Sequence, residues 1–516
     1  MSSVVWFGHR MMIFGFLPQN LKTQAVAVAF SMAWQAGGVE PGGDVAALGR
    51  LVAFRRELDW CFGARADAVF ELAVAVLCAV GAVKSLVGLS LAPEHRRGHG
   101  ALYDALNAGR IDVARLRWSL AALPLPAWPD GRIRLAVDVS NWLRPDAATS
   151  PGRMFCHVHG RGRNAGQMVP GWPYSLVAAL GPGASSWTVL LDAARIGPDD
   201  DETDLAAAQL RAVAGRLAAA GRHRAGDPDI IIVMDAGYDV TRLAWLLADL
   251  PVVLCARLRK GRVFHAPAPP KRAGKAGAPP RHGAGVRCAP GTGSGGAALT
   301  AGAASRGHGP VQVTAWHRMH PKLSRARGWH AHPPGEQLPI VEGTLIRLAA
   351  ARAPRSGQDL QPMWLWASAP LAGEAEVARL WQAYLRRFDI EHTFRFIKSQ
   401  LGWTRPLLRD PAAADRWTWL IIAAYDQLYL ARPAAAAVRL PWQPPQAAAA
   451  MTPARVRAGF RCVRETAGSP ANAAKPGKPG PGRPAGSKNK TRAPRHPVGK
   501  RNRKRPKPAK KTKPTG

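Results

Sequence analysis

Tyr384, Arg387, Glu391 and Lys398 stand three, four and seven residues apart in the stretch YLRRFDIEHTFRFIKSQLGW. On a helix advancing about 100° per residue, these four side chains fall within an arc of roughly 60°, with Arg395 on the same side. Leu385 and Ile397 point elsewhere and can pack. One face would then show a carboxylate flanked by cations and a phenol. Arg387 and Glu391 form an i,i+4 pair, which alone describes a salt-bridged structural face. The chemical alternative is a metal-binding carboxylate beside cations that grip a phosphate backbone.

Two further acids bear on that choice. RIRLAVDVSNW alternates apolar residues up to Asp138, and PDIIIVMDAGYD runs apolar up to Asp235. A carboxylate at the end of such a strand is costly unless it is paired, exposed at the strand mouth or bound to a cation. Each alone is more often a residue capping a turn. Three carboxylates converging on one point make a hard-oxygen site suited to Mg2+, or Mn2+ in its place. Two such ions about 3.5–4 Å apart can serve an in-line displacement at phosphorus.

The elements that must position these acids read as a mixed α/β order. Helical periodicity runs from Phe54 to about Leu123. Strand patterns follow in RIRLAVDVSNW, YSLVAAL and SSWTVLLDAARI. DDDETDLAAAQLRAVAGRLAAAG is a helix with acids in its first turn, as the helix dipole favours. IIIVM is a continuous apolar strand of the kind buried on both faces. VTRLAWLLADL is a helix and PVVLCARL a strand. VQVTAWHRMHPK, LPIVEGTLIRLAA and PMWLWAS read as three more strands. One helix is expected from about Glu374 to Gln400, and another in AADRWTWLIIAAYDQLYLAR. Between Gly261 and Pro310 the chain is rich in Gly, Ala and Pro and poor in large apolar residues, which predicts a flexible basic insertion.

AVDVSNWLRPDA, IVMDAGYD and the Tyr384–Trp403 stretch resemble the DDE motifs of bacterial insertion-sequence transposases. Tyr384, Arg387, Glu391 and Lys398 match the Tyr-x2-Arg-x3-Glu-x6-Lys signature of one large subgroup. VEGTLIRL and DRWTWLIIAAY look similar as well, and the resemblance spans roughly residues 54–432. It implies an α/β, ribonuclease H-like catalytic core with a largely β insertion, preceded by a helical domain and followed by a disordered basic tail. The implied layout is an extension at 1–49, a helical domain that is a candidate for DNA binding at 50–125, and the core at 130–261 and 367–432. The insertion would occupy 262–366, with 262–310 flexible, and the tail 433–516. By this resemblance Asp138, Asp235 and Glu391 are the metal ligands. Arg387 and Lys398 contact phosphates near the cut, Arg395 adds to the DNA-binding face, and Tyr384 positions the strand. The implied partners are double-stranded DNA, as terminal inverted repeats and target, and a second copy of the chain.

Charge agrees with a polyanion partner. The formal net charge is +37 over 516 residues. From Lys475 to Gly516 there are 16 Lys and Arg and no acid, so the rest of the chain carries +21. PGPGRPAGSKNK resembles an AT-hook core with Arg483 as the inserting side chain. A purely electrostatic tail is the plainer reading. The 6 cysteines include no CxxC pair, which excludes a zinc ribbon and fits a reducing compartment. Cys156-His157-Val158-His159 lacks a second ligand cluster and reads as loop. Phe70–Leu91 contains Glu71 and Lys84, so its uncharged run is short of the roughly 18–20 residues a membrane span needs. No secretory signal is read at the start. A bacterial, cytoplasmic, nucleoid-associated DNA transposase is the expectation. A catalytically inactive, transposase-derived DNA-binding protein and a ribonuclease H-like nuclease are the alternatives.

Overall fold

A computed structural model describes residues 3–7, 10–14, 43–98, 100–158, 166–183, 186–271, 278–305, 309–326, 328–350, 361–435, 451–475, 486 and 491–499. An antiparallel hairpin, β1 (Ser3–Phe7) and β2 (Arg10–Phe14), comes first. Five helices follow: α1 (Gly43–Trp60), α2 (Ala66–Cys78), α3 (Leu86–Ser90), α4 (Gly100–Ala108) and α5 (Val113–Ala121). Eleven of the thirteen residues of α2 are buried, so this apolar helix is a core element. Among the described residues no helix is long and apolar enough to cross a membrane.

Next come β3 (Arg134–Leu143), β4 (Met154–Val158), β5 (Gln167–Leu180) and β6 (Thr188–Arg195). Helix α6 (Glu202–Ala219) starts on Asp201, whose carboxylate accepts from the amides of Thr203 and Asp204 at 2.9 and 3.0 Å. Strand β7 (Ile230–Met234), helix α7 (Val240–Leu246) and strand β8 (Val252–Arg257) complete this half. β3, β7 and β8 run parallel side by side, and β3–β5, β4–β5 and β5–β6 are antiparallel. β7 is buried along its whole length, as a strand covered on both faces must be.

The chain then continues the same sheet outward through β9 (Val263–His265), β10 (Gly285–Arg287), β11 (Leu299–Ser305), β12 (Gly309–Pro321), β13 (Gly343–Ala350) and β14 (Met363–Ala367). β14 joins β8, giving the order β10-β9-β12-β13-β14-β8-β7-β3-β5-β4, with β11 on β12 and β6 on β5. Where composition predicts a flexible insertion over 262–310, the described residues are in part regular strands, β9, β10 and β11, and 272–277 and 306–308 lie outside them. Gly and Ala suffice for β11 because pairing with β12 uses backbone groups, and Phe264 and Cys288 are each fully buried.

Four helices close the fold: α8 (Glu374–Arg386), α9 (Phe388–Ser399), α10 (Pro411–Ala431) and α11 (Pro453–Ala467). Helix α10 is tied to the sheet by polar contacts. Asp415 accepts from the Tyr174 hydroxyl at 2.7 Å and pairs with Arg195 at 3.0 Å, and Asp426 accepts from the Leu190 amide at 3.1 Å. Helices α1 and α2 pack on α10 and α11, so the early helices share a core with the late ones. Arg55 donates to Gln427 at 2.7 Å, and Arg457 donates to the Val76 carbonyl at 3.0 Å. Within the tail expected to be disordered at 433–516, the described residues include a packed helix, while 436–450, 476–485, 487–490 and 500–516 lie outside them. Val456, Phe460 and Val463 of α11 are buried at helical spacing, each such side chain contributing about 1.5–3 kcal/mol. Farther along, Gly499 forms a bridge with Met154 on the edge strand β4, and buried Arg153 donates to the His496 carbonyl at 3.3 Å. Arg483 lies outside the described residues, as does the chain beyond Gly499.

Candidate active site

Two sequence expectations about the acids change in the structure. β3 does not end at Asp138; it runs five residues further because β5 pairs with it as far as Leu143. What does end there is the parallel pairing with β7, whose last partners are Val137 and Met234. The next residues are Asp138, still within β3, and Asp235, the first residue past the end of β7, so the two acids sit abreast. The single helix expected over 374–400 is broken at Arg387. The Arg387 amide bonds to the Tyr384 carbonyl at 2.9 Å, three residues back, and the chain restarts as α9.

The break positions the site. Helix α8 lies over β7 and β8, and α9 lies over β3, β5 and β6. The joint thus falls above the β7–β3 boundary, where the two aspartates stand. Ile390, Phe394 and Ile397 bury one face of α9, and Thr393 bonds to Thr188 of β6 at 2.9 Å. At the far end, Gly402 (φ 71°) carries the chain into Trp403. A Cβ there would lie 2.7 Å from the Val83 carbonyl, so glycine meets both the backbone and the space requirement.

Arg387 forms the centre of the charge network. Its Nη1 donates to Asp138 Oδ2 at 2.9 Å and its Nη2 to Glu391 Oε1 at 2.7 Å. The Tyr384 hydroxyl makes a long contact of 3.5 Å to Asp235 Oδ1. The side chains of Arg387, Asp138 and Glu391 are 12, 20 and 37% exposed. Burial pushes the Asp138 carboxyl up to about 6, against the pull of Arg387 and of the Val139 amide; Asp235 and Glu391 add to the rise. Burial likewise raises the Tyr384 phenol to about 12. Arg387 is held above its ordinary value by Asp138 first, despite its own desolvation. Burial lowers the Lys398 ammonium to about 8, with Asp138 opposing, and its Nζ stands 5.5 Å from the centre of the Trp403 ring.

Of the sequence-selected residues, Asp138, Asp235, Tyr384, Arg387 and Glu391 are brought together, with Lys398 beside Asp138. Arg395 is exposed on α9 and is not part of this network. Trp403, beneath Lys398, was not singled out by spacing, although it ends the same motif. Asp389, two residues before Glu391, is buried against Arg386 instead, and burial lifts its carboxyl to about 7. Cys156 lies in β4, not in a loop, and it is near enough to raise Lys398; His159 lies outside the described residues.

Among the described residues no three His, Cys, Asp or Glu side chains are gathered to hold a metal ion. The guanidinium of Arg387 supplies the positive charge that these carboxylates require. The donor set itself, three carboxylates of which two stand abreast at the end of a parallel strand pair, has the hard-oxygen chemistry that fits a divalent cation.

The three acids thus stand on a mixed α/β sheet flanked by helices, two abreast at the β7–β3 boundary and the third on a covering helix. A family model described as DDE superfamily endonuclease matches residues 57–322, just over half of the chain. The chain belongs to this family, which implies a ribonuclease H-like fold and a nuclease whose relatives typically use divalent metals. The matched region includes Asp138 and Asp235 and ends before Glu391. No curated protein matches the chain.

Proposed function

We propose that the chain is a transposase of the Tyr-x2-Arg-x3-Glu-x6-Lys subgroup, which cuts and rejoins DNA at the ends of its own mobile element. The observation that carries this reading is the register that sets Asp138 beside Asp235, with Arg387 tying Asp138 to Glu391. Asp138, Asp235 and Glu391 would hold the metal, Mg2+ or Mn2+. When bound, two such ions stabilise the attacking and leaving oxygens of an in-line displacement at phosphorus.

The remaining chemistry belongs to the chain. Asp138 must be ionised to act as a ligand, so in the metal-free chain protons compete with the cation for it at and below about pH 6. Arg387 exchanges a carboxylate for a phosphate oxygen, and its planar fork suits both. Lys398 supplies a point charge to the backbone, and Trp403 beneath it limits its wandering. Tyr384, a neutral phenol at working pH, positions the strand through its hydroxyl. Hydrolysis frees a 3′-hydroxyl, and attack of that hydroxyl on target DNA completes the transfer. Exposed Arg56, Arg65 and Arg110 on and beside the early helices support a DNA-holding role for residues 50–125. A dimer pairing two element ends in the bacterial cytoplasm is part of the same proposal.

Cleavage of DNA carrying the element's ends, with Mg2+ or EDTA, for the unaltered chain and Asp138→Ala, tests the reading. Cuts at the element boundary that need both the metal and Asp138 are expected. Cuts without preference for the ends point to a general nuclease. Tight binding without any cut sinks the proposal in favour of an inactive descendant. The observation favouring that second reading is that Arg387 and Tyr384 link the three carboxylates, which are not within ligand reach of one shared ion.

A further inference from the structure

The outer sheet brings three imidazoles together, far along the strand order from the acids. His265 on β9 and His320 on β12 are directly paired in the antiparallel register. His282, in the segment leading into β10, folds over them. His282 Nδ1 and His320 Nε2 are 2.9 Å apart. The ring centres are separated by 5.2 Å for His282–His320, 5.6 Å for His265–His282 and 6.5 Å for His265–His320.

These spacings suit a shared metal. With a metal–nitrogen bond of about 2.0–2.1 Å, two tetrahedral imidazole ligands have nitrogens about 3.3 Å apart and ring centres about 5.2 Å apart. The ring centres of the His282–His320 pair meet that spacing and those of His265–His282 are close to it, while the His282 and His320 nitrogens, at 2.9 Å, have to part by about 0.4 Å to share a cation. The His265–His320 ring centres, at 6.5 Å, are about an ångström too far apart for this, and among the described residues no three donors converge. The His265 Nδ1 is 3.2 Å from the Gly283 carbonyl. Donation of Nδ1–H to that carbonyl leaves Nε2 as the basic nitrogen, the outer-shell arrangement usual for a metal-binding histidine.

We propose that His282 and His320, with His265 as the third ligand after a small ring shift, form a site for a late first-row divalent cation, zinc foremost. The surroundings select that class. Arg281 and Lys322 lie near enough to disfavour a hard cation held by charge, and Glu342 is the acid facing His320. Neutral imidazoles bind zinc, nickel or copper through nitrogen lone pairs without needing a carboxylate. His320 is 1% exposed, so one ligand is fixed while His282 closes on it. The metal would clip the segment leading into β10 onto β12, stiffening the edge of the sheet.

The test uses the full chain stripped with chelator, in excess Mg2+ to occupy the carboxylates. Calorimetric titration with Zn2+ and visible absorption with Co2+ are the two readouts. One equivalent of zinc, a nitrogen-ligated tetrahedral cobalt spectrum, and an affinity at least about tenfold weaker in His282→Ala are expected. Zinc that Mg2+ displaces, or affinity unchanged in both His282→Ala and His265→Ala, overturns the site. Absence of the cobalt bands in the unaltered chain does so as well, whether or not either variant folds. In that case the contact is a plain N–H···N hydrogen bond.

Discussion

Arg387→Ala should destabilise the metal-free chain in a pH-dependent way. The substitution removes bonds of 2.9 Å to Asp138 and 2.7 Å to Glu391. Asp138 is 20% exposed and Glu391 37%, so only the Asp138 half behaves as a buried pair. Removing one partner of a buried pair costs about 3–5 kcal/mol; partial exposure brings the expectation here to about 2–4 kcal/mol. The sign with pH follows from Asp138. Its folded value, about 6, lies above the ordinary 3.8. The folded state therefore binds the extra proton between those values, and stability falls as pH rises through about 6. Arg387 lowers that carboxyl, so its loss raises the carboxyl further and makes ionisation costlier. The variant should lose little at pH 5, where Asp138 is protonated in both chains, and the full amount at pH 8. Thermal unfolding at pH 5, 6.5 and 8 without metal measures this, at roughly 2–4 °C per kcal/mol for a domain of 150–250 residues. Millimolar Mg2+ should recover more stability in the variant than in the unaltered chain, because a cation replaces the guanidinium. A loss equal at all three pH values, or none at pH 8, would refute the account of Arg387 as counter-charge to the acids.

Glu391→Gln keeps the shape and an acceptor for Arg387 but removes a metal-binding charge. It should abolish cleavage while DNA affinity, measured by gel shift, stays within a few-fold; unchanged cleavage per folded molecule would mean that Glu391 is structural. Lys398, with its ammonium lowered to about 8, loses charge as pH rises through that value. DNA binding should weaken between pH 7 and 9 in the unaltered chain, and Lys398→Ala should flatten that dependence and reduce the salt slope by about 1. Phe460→Ala in α11 removes a fully buried ring and should cost about 3–5 kcal/mol in urea unfolding; a negligible change would detach α11 from the core.

Much of the core could be read from periodicity. β7 is a run of branched apolar residues, and a strand covered on both faces has to be one; α6 has acids and an N-cap at its start. Both signals are local, so they survive without knowledge of the partner. β11 could not be read this way, since its Leu-Thr-Ala-Gly-Ala-Ala-Ser sequence has almost nothing to bury. Its stability comes from backbone pairing with β12, a non-local term with no side-chain signature. Helix α11 carries a signal, in Val456, Phe460 and Val463, but it lies between Ala/Pro-rich and Lys-rich stretches that dominate any window average.

The site divides in the same way. The amino-acid sequence by itself determined which side chains are available: one glutamate at fixed spacing from Tyr384, Arg387 and Lys398, and two aspartates after apolar runs. Helical spacing is a property of one segment, so it is written in one segment. Only the tertiary structure decided that β3 and β7 are parallel neighbours in the register that sets Asp138 beside Asp235. It also decided that the helix breaks at Arg387, where α8 leaves β7 and β8 and α9 takes up β3, β5 and β6. That break turns an i,i+4 pair into a bridge between two elements, because a guanidinium at a helix joint can reach a strand that one on a straight helix would pass over. The histidine group follows the same rule. His265, His282 and His320 are scattered over 56 residues, and antiparallel pairing of β9 with β12 is what makes them neighbours.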